Sequence, residues 1–280
     1  MVAMFTTFTR LRALIGALLV ASCATTVRAQ LVEPNQLGVR MGHIHLNVRD
    51  VDATRKFFVD QLSGTVVKNG PLELIQFPGV FIMLRKADNP LPAAGTIVNH
   101  FGFVMKDFPT ALAKWKANGI GIEPTENPNE VYVLGPDSLR VEVYGEPSIP
   151  EPVYMNHIHF FPSDIAGIKK WYVNAFGANP GRRNCIGCIS KPRVFESADL
   201  PAVNLTFPPT AKPQEPTKGR VIDHIGFDVT NLEAFVAGLE ARGVKIEAPI
   251  RAVPNTKLKV AFLTDPWGTY IELTEGLSPQ

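Results

Sequence analysis

The sequence predicts an α+β fold made of four βαβββ modules that are paired into two domains. Three observations lead to this prediction: a strand motif that recurs four times, a helical pattern behind each copy, and short strand-like runs after each helix. The chain has 280 residues, of which 45% are hydrophobic and 19% are charged. This composition suits globular domains with buried cores and excludes a disordered or collagen-like chain.

The repeated motif opens with a histidine that is followed seven residues later by Asp or Asn. Its four copies are HIHLNVRD (43–50), HFGFVMKD (100–107), HIHFFPSD (157–164) and HIGFDVTN (224–231). The alternation of residue types inside the motif predicts a short strand, and its last residue suits the N-cap of a helix. We therefore expect strand-to-helix junctions at Asp50, Asp107, Asp164 and Asn231.

An amphipathic helical pattern follows each motif and ends at a glycine, over residues 51–64, 108–119, 165–177 and 232–243. Strand-like runs come next in each module: LELIQF and GVFIMLRK, VYVLG and RVEVYG, RVFES and AVNLTF, and KVAFLTD and GTYIELTEG. Proline-rich connections at 87–95, 146–152 and 207–218 separate the modules. Each module is therefore predicted to be a strand, a helix and two or three further strands.

The modules are of two kinds, because modules one and three carry His-x-His whereas modules two and four carry His-x-Gly. The chain thus resembles a pair of unlike modules that has been duplicated. We assign two domains on this basis, 38–147 and 153–276. The glycines, Gly102 and Gly226, remove side-chain volume beside a histidine, and we expect them to leave room for a ligand or substrate.

Histidines and glutamates at matching positions predict metal sites. Alternate residues of a strand share a face, so His45 lies on the same face as His43, and His159 on the same face as His157. A single strand histidine is more often a packing or surface residue than a ligand. Four histidines at equivalent positions are hard to explain in that way.

A carboxylate completes each predicted site. Glu142 and Glu272 lie in the last strands of modules two and four, where an inward carboxylate is costly unless it is paired or binds a cation. Two histidines and one carboxylate form a triad that leaves positions open on Fe(II) and related divalent metals. The predicted triads are His43, His100 and Glu142 in the first domain, and His157, His224 and Glu272 in the second. His45 and His159 are candidates for acid/base or supporting roles, with plain packing as the alternative.

The first 29 residues are typical of a secretory signal, with Arg10 and Arg12 ahead of an uncharged run and cleavage after Ala29. Residues 20–23, VASC, also resemble a lipobox, so a lipoprotein anchored at Cys23 is the alternative, and only then would the protein contact a membrane. Cleavage leaves 25 Lys and Arg against 26 Asp and Glu, which changes the net charge from +2 to −1. We expect an exported protein, periplasmic or secreted, with no nucleic-acid partner.

Cys185 and Cys188 form a C-x-x-C motif in a loop that contains glycine and arginine. In an oxidising compartment a small structural disulfide is the expectation. A thioredoxin-like redox pair would require the motif to open a helix after a strand, and a zinc site would require further ligands nearby.

The four histidine motifs and the DPWGTYIEL hairpin (265–273) resemble the vicinal oxygen chelate superfamily. That superfamily includes glyoxalase I, bleomycin resistance proteins, fosfomycin-modifying thiol transferases and extradiol dioxygenases, and the resemblance covers the whole mature chain. It implies two glyoxalase/bleomycin-resistance/dioxygenase-type domains and a divalent metal ion such as Fe(II), Mn(II), Zn(II) or Ni(II). The metal would bind two adjacent oxygens of a small-molecule substrate as a Lewis acid. Exposed strand edges of such modules commonly pair, which makes a homodimer compatible with the resemblance.

The four-module length is most similar to the extradiol dioxygenases, in which the positions of His157, His224 and Glu272 would ligate the metal. Ring-cleaving members also use a further histidine near the end of the third module, where this chain has Asn204, and a tyrosine before the final hairpin, where it has Phe262. Ring cleavage would therefore need His159 as a substitute. Glyoxalase I uses a second glutamate from the last strand of the partner module, but GVFIMLRK and AVNLTF contain no acid.

The function expected from these features is that of an exported metal-dependent enzyme of dioxygenase, lyase or isomerase type. The second-domain triad would be its active site, and the first-domain triad a second or vestigial site. The alternative is a non-catalytic binding protein that sequesters a small molecule, as bleomycin resistance members do.

Overall fold

The computed structural model describes residues 31–278, and these residues form four βαβββ modules in the predicted order. Module one contains β1 (Val39–Val48), α1 (Val51–Lys56, extended by the π-helical Phe57–Gln61), β2 (Thr65–Asn69), β3 (Leu72–Phe77) and β4 (Val80–Lys86). Module two contains β5 (Val98–Met105), α2 (Phe108–Ala117), β6 (Ile122–Pro124), β7 (Glu130–Leu134) and β8 (Arg140–Gly145). Module three contains β9 (Val153–Phe160), α3 (Ile165–Phe176), β10 (Asn179–Asn184), β11 (Val194–Leu200) and β12 (Val203–Phe207). Module four contains β13 (Ile222–Val229), α4 (Leu232–Ala241), β14 (Ile246–Ala252), β15 (Lys259–Thr264) and β16 (Tyr270–Glu275).

The predicted signal segment and Cys23 lie outside the described residues. Within residues 31–278, none of the helices is long and apolar enough to span a membrane.

The four predicted N-caps are confirmed. The side chains of Asp50, Asp107, Asp164 and Asn231 each accept a hydrogen bond from the backbone N–H three residues further on. Each bond satisfies a donor that the first turn of a helix leaves unpaired, which is why the strand stops and the helix begins at that residue. At the other end of α3, Gly177 has a φ of 66° and closes the helix in the left-handed conformation.

The modules pair into two eight-stranded sheets, but the partners differ from those expected. The first sheet has the order β14-β15-β16-β13-β1-β4-β3-β2 and joins module four to module one. The second has the order β10-β11-β12-β9-β5-β8-β7-β6 and joins module three to module two. The division into 38–147 and 153–276 therefore separates strands that share a sheet.

The difference arises because consecutive modules were expected to pair. In both sheets a His-x-His strand does lie antiparallel to a His-x-Gly strand, β1 against β13 and β9 against β5. Two arrangements of the four modules satisfy this rule. In one, module one pairs with module two and module three with module four. In the other, which we call nested, module one pairs with module four and module two with module three. The protein adopts the nested arrangement, in which the short 146–152 connection links β8 to β9 within one sheet while the first and last modules complete the other.

Each sheet curls until its two ends meet. In the second sheet, the side-chain amide of Asn127, beside β6, donates to the carbonyl oxygen of Ile186, beside β10, at 3.2 Å. In the first sheet, the backbone of Gly70, beside β2, lies against the carbonyl oxygen of Asn255, beside β14. Each sheet therefore forms a cup, which we call cup I for modules one and four and cup II for modules two and three.

The outer faces of the two cups pack together through the helices. The ring of Phe58, at the end of α1, stacks on Phe101 of β5 with centroids 6.4 Å apart. The ring of Phe176, at the end of α3, lies 4.8 Å from that of Phe227 in β13. Because these rings belong to one buried cluster, the helices join the two sheets through a common core.

The pairing of module one with module four can be tested through Arg40 in β1 and Asp228 in β13. Their side chains form an ion pair at 2.7 Å and are 20% and 2% exposed. Arg40→Leu leaves a buried carboxylate without its counter-charge and should lower the free energy of unfolding by about 2 kcal/mol. Because Asp228→Asn removes the stranded charge, the double variant should lose less than the sum of the two single losses in urea denaturation. Strictly additive losses would contradict the pairing.

Candidate metal centres

Histidine and glutamate side chains form one compact group inside each cup. Site I consists of His43, His45, His224 and Glu272, and site II consists of His100, His157, His159 and Glu142. Within each group, one nitrogen or oxygen atom from every residue lies within 4.8 Å of all the others. Each sequence-predicted ligand thus belongs to a group of metal-binding composition.

The composition of the two triads is nevertheless different from the predicted one. His43 was expected beside His100 and Glu142, and His157 beside His224 and Glu272. The structure exchanges these two histidines, since β1 pairs with β13 and β9 pairs with β5. The glutamates keep their expected histidine partners because each comes from the same module, Glu142 with His100 and Glu272 with His224.

In site II the two triad histidines converge on one carboxylate oxygen. Nε2 of His100 lies 2.9 Å from Oε2 of Glu142, and Nε2 of His157 lies 3.4 Å from the same atom. The other ring nitrogens face the preceding residues, with Nδ1 of His100 at 2.9 Å from Oδ1 of Asn99 and Nδ1 of His157 at 3.1 Å from Oδ1 of Asn156. Nδ1 of each ring is thus placed to donate to an amide oxygen, while Nε2 faces Glu142.

Site I has the same plan with one exception. Nε2 of His224 and Nε2 of His43 lie 2.8 and 3.1 Å from Oε2 of Glu272. Nδ1 of His224 donates to Asp223 at 2.6 Å. His43 follows Gly42, which has no side chain to offer, and its Nδ1 has no hydrogen-bond partner in residues 31–278.

The donor sets fit a divalent metal ion. Two imidazole nitrogens and one carboxylate oxygen aim at a common point, and three of the four histidines are oriented through Nδ1 by an oxygen-bearing neighbour, as metal-bound histidines usually are. Burial disfavours the charged form of Glu142, but the charges and hydrogen bonds of His157 and His100 outweigh it and hold the pKa of this carboxyl well below its ordinary value. The carboxylate is therefore available as an anionic ligand.

The two glycines of the His-x-Gly strands have a different role from the expected one. Gly102 lies opposite His157, and Gly226 lies opposite His43, in the antiparallel ladders. A Cβ atom at either glycine would overlap the imidazole ring of that histidine. The space beside each glycine is therefore filled by the imidazole of a metal-site histidine from the partner module. The expectation that this space admits a bound small molecule or substrate is wrong.

The remaining histidines, His159 and His45, lie beside the triads. The ring of His159 is 4.5 Å from that of His100 and 4.7 Å from that of His157, and the ring of His45 is 4.4 Å from that of His224. Burial holds the pKa of His159 well below its ordinary value and lowers that of His45 to about 2. Both rings are therefore neutral and weakly basic, and each can accept a hydrogen bond through its unprotonated nitrogen.

The two cups differ in what fills them. Cup I contains a cluster of buried apolar side chains on the ligand side of the sheet: Leu31, Leu74, Phe81, Leu258, Val260 and Leu277. Phe81 pairs with His43 across a parallel ladder and so shares its face. Cup II instead contains a cavity of about 330 Å³, lined by His157, His159 and Glu142 together with polar and aromatic side chains. Site II is thus beside an open space, and site I is beside packed side chains.

Glu130 and Tyr132 of β7 and Tyr144 of β8 are among the cavity residues that were not singled out from the sequence. Tyr132 pairs with Glu142, and Glu130 pairs with Tyr144, so alternation along β7 places both on the ligand face. Glu130 is 3% exposed, and its Oε2 has no partner in the described part of the chain. Burial and the neighbouring Glu142 raise the pKa of Glu130 to about 8. In the sequence, the alternation of an acidic residue and a tyrosine in EVYVL (130–134) is the pattern that indicates a polar strand face here.

The two departures noted in the sequence fall in different cups. Phe262 pairs with Glu272 in cup I, and the corresponding partner of Glu142 in cup II is Tyr132. Asn204 pairs with His157 in cup II. In the His-x-Gly strands, Gly102 pairs with Glu142 and Gly226 pairs with Glu272. At the same position of the His-x-His strands, His159 pairs with Thr206 and His45 pairs with Met83, so no carboxylate lies there. The structure thus agrees that neither triad gains a second carboxylate from its partner module.

Cys185 and Cys188 form a disulfide. They lie in the connection between β10 and β11, so the motif does not open a helix, and neither of these two sulfurs is a free thiolate that could bind zinc. Cys185 and Ile186 line the cavity of cup II.

Comparison with known proteins gives a family match and related structures. Residues 154–273 match the model of the Glyoxalase/Bleomycin resistance protein/Dioxygenase superfamily. The uncharacterised protein YaeR of Escherichia coli (strain K12) is 30% identical over 130 residues, which cover 43% of this chain and 95% of YaeR.

Two solved structures share the fold. Glyoxalase I from Zea mays superposes with a TM-score of 0.66 at 17% identity, over 85% of this chain and 92% of that one. A candidate dioxygenase from Bacillus subtilis superposes with a TM-score of 0.63 at 14% identity, over 86% of both chains.

The close fit between glycine and histidine gives a direct prediction. Gly102→Ala should displace the ring of His157 and weaken divalent-metal binding at site II by at least about tenfold, since ligand position controls affinity. Binding is measured by calorimetric titration of metal-free protein. Gly238→Ala, on helix α4, meets only the guanidinium of Arg242 at 3.5 Å and serves as the matched control with unchanged affinity. Normal binding by the Gly102 variant would contradict the assigned role of the glycine.

Proposed function

Because the chain belongs to the Glyoxalase/Bleomycin resistance protein/Dioxygenase superfamily, we propose that it is a metal-dependent enzyme acting at site II on a small substrate with two vicinal oxygens. His100, His157 and Glu142 would hold the divalent ion, which when bound supplies a Lewis acid for the substrate oxygens. The observation that carries the proposal is the cavity of about 330 Å³ beside these ligands, in contrast to the packed side chains of cup I.

Two residues of cup II are suited to hydrogen bonding with a substrate. His159 is neutral and lies against both ligand histidines, so its unprotonated nitrogen can accept a hydrogen bond from a substrate held at the same point. Burial, and then the charges of Glu142 and Glu130, raise the pKa of Tyr132 above its ordinary value. Its hydroxyl therefore stays protonated and can donate a hydrogen bond. An acceptor and a donor in one cavity support dioxygenase, lyase or isomerase chemistry.

The residues around site II bear on which of these reactions is favoured. Tyr132 stands in cup II where Phe262 stands in cup I, which supplies the tyrosine expected of a ring-cleaving enzyme. Asn204 still occupies the region of the additional histidine, so His159 would have to take its role. Thr206 stands at the position of the second carboxylate used by glyoxalase I, which disfavours that reaction.

A binding protein that sequesters a small molecule is the competing function. It would need a cavity but no metal, whereas here two imidazole rings and a carboxylate converge at the cavity. The retained triad favours the enzyme, and metal content separates the two functions.

The first test of the proposal is metal stoichiometry combined with a small chelating probe. Purified mature protein should bind up to two divalent ions per chain, and His100→Ala and His43→Ala should each lose one. With Co(II) as the ion, acetohydroxamate should change the visible spectrum of the His43→Ala protein, whose ion is in site II. It should leave the spectrum of the His100→Ala protein unchanged, because site I adjoins packed side chains. Wild-type protein without stoichiometric metal would overturn the enzyme and favour the binding protein.

We also propose that the protein is exported. The main support is the signal-like sequence of residues 1–29. The Cys185–Cys188 disulfide is a second support, because disulfides persist in oxidising compartments. The intact mass of protein recovered from the periplasm or medium should correspond to a chain that starts at Gln30. A lipid-modified chain that starts at Cys23, in the membrane fraction, would support the lipoprotein instead. A cytoplasmic chain that retains Met1 would overturn export.

A further inference from the structure

We propose that the Cys185–Cys188 loop is a strap across cup II that limits the size of the ligands reaching site II, and that reduction of its disulfide releases the strap. This inference rests on the proposed function, because site II is taken to hold the ion that ligands approach.

The position of the loop is the first argument. Strands β10 and β6 are the two ends of the second sheet. The loop, residues 185–193, follows β10, and the turn at residues 125–129 follows β6. Because the loop contacts that turn, it lies at the seam where the two ends of the sheet meet. Cys185 and Ile186 form part of the cavity wall at this seam.

The contacts of the loop are the second argument, because they join module three to module two. Ser190 donates to the carboxylate of Glu126 through its backbone N–H at 2.6 Å and through its hydroxyl at 2.8 Å. Asn127 donates to the carbonyl oxygen of Ile186 at 3.2 Å. The backbone of Gly187 lies so close to Glu130 that a Cβ atom there would be 2.9 Å from Oε1.

These contacts are suited to release. Ile186 and Ile189 are 40% and 56% exposed, so the strap is held by surface hydrogen bonds rather than by buried apolar area. Segments held in this way open locally at a small free-energy cost. The corresponding connection of cup I, residues 253–258, buries Leu258 in the apolar cluster and is held by packing. The two cups are therefore closed by different means.

The disulfide fixes the part of the strap that lines the cavity, because Ile186 and Gly187 lie inside the ring that it closes. Reduction by a dithiol breaks the sulfur–sulfur bond. The dithiol supplies two electrons and two protons, two cysteine thiols form, and the dithiol becomes a disulfide. The open loop then loses the covalent constraint that holds the Ile186 carbonyl against Asn127.

The test measures capture of Co(II) from His43→Ala protein, in which the ion reports on site II. Two chelators of different size, dipicolinate and bathophenanthroline disulfonate, are mixed with the protein, and the loss of the protein-bound spectrum is timed. With the disulfide intact, the small chelator should react much faster than the large one. Reduction with dithiothreitol, followed by its removal under anaerobic conditions, should accelerate the large chelator roughly tenfold and the small one little, as expected when a few weak contacts open. Combined Cys185→Ser and Cys188→Ser substitutions should act like reduction.

A second variant keeps the disulfide and removes the hydrogen bonds that join the strap to module two. Glu126→Ala removes both hydrogen bonds from Ser190 and should also accelerate the large chelator. Glu151→Ala removes an exposed charge outside the loop and is the matched control with unchanged rates. Rates that do not depend on chelator size in any protein would overturn the strap. So would acceleration by the cysteine variant alone, because the loop would then not act through its contacts with module two.

A metal-free measurement distinguishes failure of the strap from failure of the proposed function. Amide hydrogen exchange of residues 126–130 and 186–190 should quicken on reduction whether or not metal is bound. If the His43→Ala protein binds no Co(II), the proposed function fails and hydrogen exchange alone decides the strap. Unchanged exchange in both segments would overturn it.

Discussion

The structure depends on the antiparallel contact between a His-x-His strand of one module and a His-x-Gly strand of its partner. At this contact the imidazole of His157 occupies the volume beside Gly102, and that of His43 occupies the volume beside Gly226. The backbone ladder therefore sets where the ring lies, and the neighbouring parallel strand brings Glu142 or Glu272 to it. Neither triad exists within one module, since each requires a ring from one module and a ring and carboxylate from another.

The same scaffold is used in two ways. Cup I encloses apolar side chains from both termini of the described chain, including Leu31 and Leu277, and the side chain of Asn69 donates to the carbonyl oxygens of Gly276 and Leu277. Cup II gives up this packing and contains Glu130, Tyr132 and Tyr144 around a cavity. Apolar burial stabilises a fold, whereas buried polar groups cost free energy unless they are satisfied. Both cups hold a candidate metal centre, but cup I surrounds it with stabilising apolar contacts and cup II with polar groups and a cavity.

Much of the local structure was predictable because its causes are local. The N-caps of the helices depend on Asp50, Asp107, Asp164 and Asn231, which hydrogen-bond within three residues, and the strands follow from alternation. The partners of β1 and β9 were not predictable in this way. The residues of a strand do not specify which of two similar strands it pairs with. The triads predicted from the sequence therefore have His43 and His157 exchanged relative to the structure.

The orientation of the ligand histidines is also marked in the local sequence. Asn99, Asn156 and Asp223 each precede a ligand histidine and accept from its Nδ1, so the dipeptides NH and DH marked oriented rings. The cavity wall formed by Cys185 and Ile186 had no such signal. It depends on a loop of module three reaching a turn of module two, and a long-range contact of this kind becomes visible only once the sheet is known to curl.

The nested pairing of the modules also constrains the order in which the chain can acquire structure. Strand β5 meets β9 after about one module of intervening chain, but β1 must wait for β13, which is separated from it by the rest of module one and by modules two and three. Contacts between distant segments form slowly, and strands without partners are prone to aggregate. A chain that emerges from its amino terminus would therefore complete the second sheet first and hold module one without its partner module until β13 has been made. A chain that stops before β13 would leave β1 without this partner, so the start of module four decides whether the first strand is protected.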